Sequence, residues 1–255
     1  MVKILLHGAL GRMGKAVGVL AAADLEAEIA AGVDSMCSER DRQAFAYPIY
    51  SEIGEFQGEA DAVIDFSTAG AVDGLLNYCV SKKLPLVLCT TGLSEEQLAH
   101  VREASEKIPI LRSANMSLGV NLLCSLLAKA APLLLQEGFD AEILEKHHNQ
   151  KLDAPSGTAI ALAEAINGAL AQPYEIVTDR YARREKRPKK EIGVASLRGG
   201  TIVGEHDVYF AGEDEVIAFS HQAASRKVFA KGALAAAKFL KGKEPGMYSM
   251  QDLYQ

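Results

Sequence analysis

Residues 1–14 read MVKILLHGALGRMG. A short apolar run without polar alternation passes directly into a turn with glycines at 8, 11 and 14, and a helix-compatible segment, 12–23, follows. Strands buried on both faces read this way, and they belong to parallel sheets. Each glycine has its own physical reason. Gly8 permits a tight turn, Gly11 lets a pyrophosphate approach the backbone with no Cβ in the way, and Gly14 lets helix and strand pack closely. The free amides and dipole at the helix start then face the phosphates. The spacing is GxxGxxG rather than GxGxxG, so position at the first strand-to-helix turn supports the assignment as much as the glycines do.

The alternation continues outward from this turn. Strands are expected at 28–33, 62–66, 85–89 and 108–111, with helices at 69–82 and from 94 to about 107. Ser94 and Gln97 are spaced as a capping box. Repeated βα units imply a doubly wound parallel sheet covered on both faces. The pattern changes after residue 117. A long helix to about 136, a strand at 141–147 and a helix at 157–170 precede strand signals at 174–178, 192–197, 202–210 and 216–220. A final amphipathic helix spans 226–240. The expected organisation is a dinucleotide-binding domain, 1–117 with 227–255, and a smaller α+β domain, 118–226, with a mixed or antiparallel sheet.

Asp34 closes the second strand, 20 residues beyond Gly14. An acid there binds adenosine ribose hydroxyls. Ser35 follows it instead of an arginine, and a lone aspartate repels a 2′-phosphate. NADH is therefore expected to serve at least as well as NADPH, with Arg40 and Arg42 still within loop reach of a phosphate. Asp65-Phe66-Ser67 and Cys89-Thr90-Thr91-Gly92 lie at the carboxyl ends of two later strands, the edge at which open parallel sheets bind ligands.

The densest chemistry is EKHHNQKLDAPSGT, residues 145–158. Ser156, Gly157 and Thr158 stand at a helix start, where free amides and the dipole attract a carboxylate. Lys151 is suited to pair with a carboxylate or to donate a proton. His147 titrates near neutrality and suits a general acid. Arg226 offers a bidentate clamp for a second carboxylate. Adjacent histidines point in different directions, and Glu205, His206 and His221 follow no known ligand spacing, so no metal is expected.

The chain has 33 acidic and 27 basic residues, a net charge of −6, which argues against nucleic acid as a partner. One basic run, Arg180 to Lys190, reads either as a solvated mobile loop or as a device for substrate steering or subunit contact. Four cysteines, Cys37, Cys79, Cys89 and Cys124, form no CxxC pair and read as small, buried, reduced side chains. The apolar opening is too short for a signal peptide. The apolar run 118–135, interrupted by Lys129 and Pro132, is expected to fall short of a membrane span. A cytoplasmic protein without membrane partners is expected.

Several blocks together resemble the dihydrodipicolinate reductase family: HGALGRMG at 7–14, IDFST at 64–68, TTG at 90–92, ANMSLGVN at 114–121, HHNQKLDAPSGTA at 147–159, RGGTIVGEH at 198–206 and SRKVFAKGA at 225–233. They run over nearly the whole chain, and the HHxxKxDAPSGTA block is the most specific. The resemblance implies a Rossmann-like N-terminal domain, a substrate domain that builds a homotetramer, and a reaction in lysine and diaminopimelate biosynthesis. In that reaction NADH or NADPH reduces the dehydrated form of 4-hydroxy-tetrahydrodipicolinate, a small dicarboxylate, to tetrahydrodipicolinate. Carried over by position, His147 and Lys151 are the catalytic residues. His148, Ser156, Gly157, Thr158 and Arg226 contact substrate. Gly8, Gly11, Arg12, Met13, Gly14, Asp34, Phe66, Thr90, Thr91, Gly92, Ala114, Asn115 and Met116 contact the cofactor. Cys89 departs from the glycine usual before TTG, and Ser35 from the arginine frequent in NADPH-using members. Two rivals share the glycine turn, a dehydrogenase for aspartate or a related amino acid and a non-catalytic dinucleotide sensor, but neither explains the 147–158 block.

Overall fold

The structure, a computed structural model, describes residues 1–113 and 115–254, the side chain of Tyr254 excepted. Its backbone contacts divide the chain into two units, Met1–Leu118 with Arg226–Gln255, and Gly119–Ser225. Leu118 and Arg226, expected in the second domain, fall in the first unit.

The first unit is built on β1 (Val2–His7), α1 (Arg12–Ala21), β2 (Ala27–Val33), α2 (Glu39–Ala44), β3 (Ile49–Tyr50), β4 (Ala62–Asp65), α3 (Val72–Lys82), β5 (Leu86–Leu88), α4 (Glu95–Ser105) and β6 (Pro109–Arg112). From the second unit come α5 (Leu118–Gln136), β7 (Asp140–His147), α6 (Gly157–Gly168), β8 (Glu175–Val177), β9 (Glu191–Arg198), β10 (Glu205–Ala211) and β11 (Val216–Gln222). The chain then returns to the first unit with α7 (Lys227–Leu240) and β12 (Gly246–Tyr248).

The first sheet has the order β12-β6-β5-β4-β1-β2-β3, every pairing parallel. Strand order reverses between β1 and β4, and the crevice beyond their carboxyl ends is where such sheets receive ligands. Both faces are buried. Ile4 and Leu6 join a core with Val17 of α1 and Ala230, Ala233 and Ala237 of α7, whereas Leu5 turns to the opposite core with Leu75 and Leu76 of α3 and Val101 of α4. This two-sided burial explains the apolar run without alternation at 2–6. On α7, a Cβ at Gly232 would stand 1.7 Å from the Met116 carbonyl oxygen, so only glycine lets the helix lie this close.

Three elements of this unit were not legible. β3 and β12 have two and three residues, too few to display a period. α2 has no buried residue and so no apolar stripe; its signal is the Ser38–Asp41 capping box. The expected Ser94–Gln97 box is present and reciprocal. The segment 69–82 is not one helix: Ala69–Ala71 forms a 3₁₀ turn before α3, with Gly70, a poor helix former, inside it.

In the second unit the sheet order is β11-β10-β7-β9-β8, with β7, β9 and β8 parallel and β10 antiparallel to both neighbours. The sheet is mixed, as expected. β10 starts at Glu205 rather than 202, because the preceding segment contains Gly199, Gly200 and Gly204, which offer no side chain to a ladder. Ala141, Ile143, Glu145 and His147 alternate inward along β7. The two apolar positions join a core with Leu127 and Ala131 of α5 and Leu162 and Ile166 of α6; the next two inward positions are ionisable.

Two expectations about surfaces are corrected here. α5 runs unbroken through Lys129 and Pro132, and by length and composition it is apolar enough to cross a membrane, with a mean hydropathy of 1.8. Val120, Leu123, Leu127, Ala131 and Leu135 bury one stripe, and that packing on both sides of Pro132 offsets the roughly 3 kcal/mol a helix-interior proline costs. Leu122, Leu126 and Leu133 remain exposed.

The basic run is not simply solvated either. Arg180 and Arg183 both pair with Glu191, which is 1% exposed, and Arg180 also pairs with Glu142. Arg187 reaches Asp140 at 2.8 Å and Glu142 at 2.8 Å, and donates to the Ala141 and Glu191 carbonyls. These three arginines neutralise acids along β7 and β9, while Arg184, Lys186 and Lys189 stay exposed. All four cysteines are free thiols, but only Cys79 and Cys89 are buried; Cys37 and Cys124 are half-buried.

Candidate active site

The glycine turn sits at the carboxyl end of β1, at the reversal of strand order. Gly8 has φ +80, and a Cβ there would lie 2.6 Å from the Phe66 carbonyl oxygen at the end of β4. A Cβ at Gly14 would meet the Gly8 carbonyl oxygen at 2.2 Å. These two glycines are demanded by the fold itself. Gly11 is different: its nearest obstacle is the Gly8 oxygen at 3.3 Å, and the residue is exposed. Its bare backbone is open to solvent at the amino end of α1, where amides attract a pyrophosphate. The turn therefore fits a dinucleotide.

Asp34 braces this turn from β2. Its Oδ2 accepts from the Leu10 amide at 2.9 Å and its Oδ1 from the Met36 amide at 3.0 Å. Each carboxylate oxygen keeps a further lone pair, enough for a ribose hydroxyl. Arg12 is exposed and Met13 half-buried beside the turn.

Beneath the turn lies a knot not anticipated from sequence. Asp65, fully buried, holds His7 Nδ1 at 2.7 Å and accepts from Thr90 Oγ1 at 2.6 Å. His7 and Asp65 are register partners on β1 and β4, so pairing brings them together. Thr90 is thus engaged and buried, while Thr91 and Gly92 are exposed, Gly92 at φ +74. Phe66 is half-buried. Burial, reinforced by the Asp65 charge, pushes the Cys79 and Cys89 thiols up, so both stay neutral and unreactive.

The 114–116 group divides. Ala114 lies outside the described residues. Asn115 Oδ1 accepts from the Ser117 amide at 2.8 Å. Met116 is 2% exposed, its side chain part of the core against α7.

In the second unit, β7 carries Glu145 and His147 on one inward face, two residues apart. Glu145 Oε2 meets His147 Nδ1 at 2.5 Å. Arg198, at the end of β9, embraces the same carboxylate with both terminal nitrogens, at 2.8 Å and 2.7 Å, and also donates to the Asp153 carbonyl. The Ser156 amide donates to Glu145 Oε1 at 3.1 Å. Desolvation of the carboxyl opposes ionisation, but the Arg198 and His147 hydrogen bonds overcome it and bring Glu145 down to about 2. Burial lowers His147, Glu145 pulls it back up, and the Lys151 and Arg198 charges add to the lowering. A Cβ at Gly204 would stand 3.0 Å from His147 Nε2, so glycine there leaves that edge of the ring uncrowded.

Lys151 Nζ meets Asp153 Oδ1 at 2.8 Å. One donor expected to receive a carboxylate is thus already aligned on one. Gly157 is exposed at the start of α6, with Thr158 half-buried beside it. Ser156 does not match its expected role. It is 1% exposed; its Oγ caps α6 by accepting from the Ala159 amide and hydrogen-bonds His206 Nε2 at 3.0 Å. Its side chain shapes the helix start from within the fold. Burial, with the neighbouring His147, pushes His206 down to about 4, so it is neutral. The His147 and His206 rings meet edge to face at 5.1 Å. His148 is half-buried, its Nδ1 without a hydrogen-bond partner. Arg226 is exposed at the amino end of α7 in the first unit.

Sequence reasoning named Glu145 but gave it no role, and it missed Arg198 and His206 as members of this cluster. All three stand inside blocks singled out above; the absent signal was the strand register that joins them.

Family models account for nearly the entire chain: one described as dihydrodipicolinate reductase, N-terminus, matches residues 2–116, and one described as dihydrodipicolinate reductase, C-terminus, matches 119–254. The chain is 54% identical over 253 residues to the 4-hydroxy-tetrahydrodipicolinate reductase of Caldanaerobacter subterraneus subsp. tengcongensis, covering 99% of this chain and 98% of that protein. It is 46% identical over 254 residues to the enzyme of the same name from Clostridium botulinum, strain Eklund 17B, covering 99% and 98%. Its fold is similar to that of a dipicolinate-bound dihydrodipicolinate reductase from Paenisporosarcina sp. TG-14, with a TM-score of 0.79 at 23% identity over 98% of this chain and 97% of the other. Matched in both halves and close to half identical to full-length relatives, the chain belongs to the dihydrodipicolinate reductase family.

Proposed function

We propose that this oxidoreductase reduces the dehydrated form of 4-hydroxy-tetrahydrodipicolinate to tetrahydrodipicolinate, in the synthesis of diaminopimelate and lysine. The relatives named for this activity support the reaction. The observation that carries the assignment to residues is the pairing of Lys151 Nζ with a carboxylate, in the same loop system as a buried Glu145–His147 pair.

A nicotinamide cofactor supplies hydride when bound. The amides after Gly8 and Gly11 receive its pyrophosphate, Asp34 its ribose, and Phe66, Thr91 and Gly92 flank it. The Asp34 carboxylate with Ser35 beside it favours NADH at least as much as NADPH, because no adjacent cation neutralises a 2′-phosphate. On the substrate side, Lys151, Gly157 and Thr158 take one carboxylate in place of Asp153, and His148 and Arg226 serve the dicarboxylate further. Cationic donors held ready in this way favour electron flow into the conjugated imine. His147 supplies the proton, with Lys151 adjacent. The expected setting is a cytoplasmic homotetramer; exposed Leu122, Leu126 and Leu133 on α5 and Leu197 and Val216 on the second sheet offer apolar surface for subunit contact.

The test is a spectrophotometric assay of NADH and NADPH loss with enzymatically generated substrate, beside aspartate-derived and other imino or keto acids. Turnover confined to the dipicolinate precursor is expected; equal turnover of the other acids, or none of any, refutes the reading. Light scattering on the purified protein tests the tetramer.

A further inference from the structure

We propose that Glu145, clamped by Arg198, is the positioning residue of this reaction: it holds His147 with a proton on Nδ1, leaving Nε2 as the atom that donates the catalytic proton. The proposal rests on His147 being the acid, as read above.

A fully buried carboxylate on the core face of a strand is costly unless every lone pair it presents is matched. Here the matching is complete and comes from three directions: His147 on the same strand, Arg198 from β9, and the Ser156 amide before α6. For packing alone, an apolar residue continuing the Ala141–Ile143 row would serve as well or better. The retained charge therefore points to work done on its neighbour. An ionised carboxylate only accepts hydrogen bonds, so the His147 nitrogen touching it must be the protonated one. That assigns the tautomer and directs Nε2 toward the edge kept uncrowded by Gly204.

Arg198 limits how strongly Glu145 retains the imidazolium. Both terminal nitrogens of Arg198 share the negative charge that His147 also uses. A carboxylate without that partner would raise the histidine's basicity and make it a poorer acid. The charged and titratable groups facing His147 are Glu145, Lys151, Arg198 and His206, and only Glu145 is negative. Through the Ser156 amide, the same carboxylate also anchors the start of α6, so the proton donor and the Gly157 amide share one support.

Ring ¹⁵N NMR of histidine-labelled wild-type enzyme reads the tautomer directly, with His147→Gln identifying the resonance. The Nδ1–H form is expected above the histidine's pKa; an Nε2–H form overturns the proposal. The pH dependence of turnover supplies the second reading. Glu145→Gln removes the charge that favours the imidazolium, so the fall in kcat with rising pH moves to lower pH by about one unit. Its kcat falls about 10²-fold, with substrate and cofactor KM changed less than about threefold. Arg198→Met frees the carboxylate to pull harder, so the same limb moves to higher pH, and Arg198→Lys restores part of the wild-type profile. Shifts of the same sign in Glu145→Gln and Arg198→Met, or no shift in either, overturn the proposal. If Glu145→Gln does not fold, the wild-type tautomer and Arg198→Met still decide. A wild-type enzyme inactive on the dipicolinate precursor would remove the functional reading while leaving the tautomer measurement to stand or fall separately.

Discussion

The glycine turn and the 145–158 segment solve opposite problems. The turn is made by absence: at 8 and 14 a single Cβ would collide with backbone, and at 11 the missing side chain exposes amides to a ligand. The second region is made by presence, a buried carboxylate, a histidine, an arginine and a capped helix start, each matched to a partner. A steric demand is displayed in the sequence as a glycine even where the neighbour is distant, as Phe66 is from Gly8. Electrostatic sites depend on partners that only the sheet brings near, since Arg198 lies 53 residues beyond Glu145 and His206 lies 50 beyond Ser156.

That contrast can be broken most forcefully at His147. His147→Gln should lower kcat by roughly 10²–10⁴-fold while leaving the thermal midpoint nearly unchanged. Unchanged turnover would strip the second region of its chemical role. Gly14→Ala should act the other way, costing about 3 kcal/mol or more in denaturant unfolding because backbone must move, whereas Gly11→Ala should fold normally and lose affinity in a cofactor titration. Similar stability losses at both positions would mean that the turn is purely architectural.

The pH dependence sharpens the electrostatic half. His147 must be protonated to act as an acid and its pKa is lowered by burial, so kcat/KM should fall as pH rises through a value below 6.5. His206 is held neutral by burial, with a folded pKa of about 4. The unfolded chain binds its proton more readily, so stability should drop as pH falls from about 6.5 toward 4, and His206→Gln should flatten that slope in a series of melts. Ser156→Ala removes a helix cap and should cost about 1 kcal/mol. The smallest effect is expected at Lys186, where Lys186→Ala should stay within about 0.5 kcal/mol, against a clear loss for Arg187→Ala, which leaves Asp140 without its guanidinium partner and Glu142 with Arg180 alone.

Much of the first region was readable in order along the chain. The strand 2–7, the turn, the Ser94–Gln97 box and the doubly wound sheet follow from local periodicity and steric demand. Of the second region, the chemical inventory was readable but not its division of labour. Ser156 looks like a ligand contact in sequence and is a buried cap in space. Met116 looks like a cofactor contact and its side chain is core. The basic run looks like a solvated loop, yet Arg180, Arg183 and Arg187 neutralise Glu142, Glu191 and Asp140.

By itself, the sequence determined the glycine turn, the alternation that builds the parallel sheet, and the family, because each is written in the local pattern of residue types or in blocks of residues in fixed order. Only the tertiary structure decided which ionisable groups are matched to which, and therefore which of them remain for chemistry. A buried charge takes its properties from the nearest opposite charge, and strand register, not chain order, sets that distance.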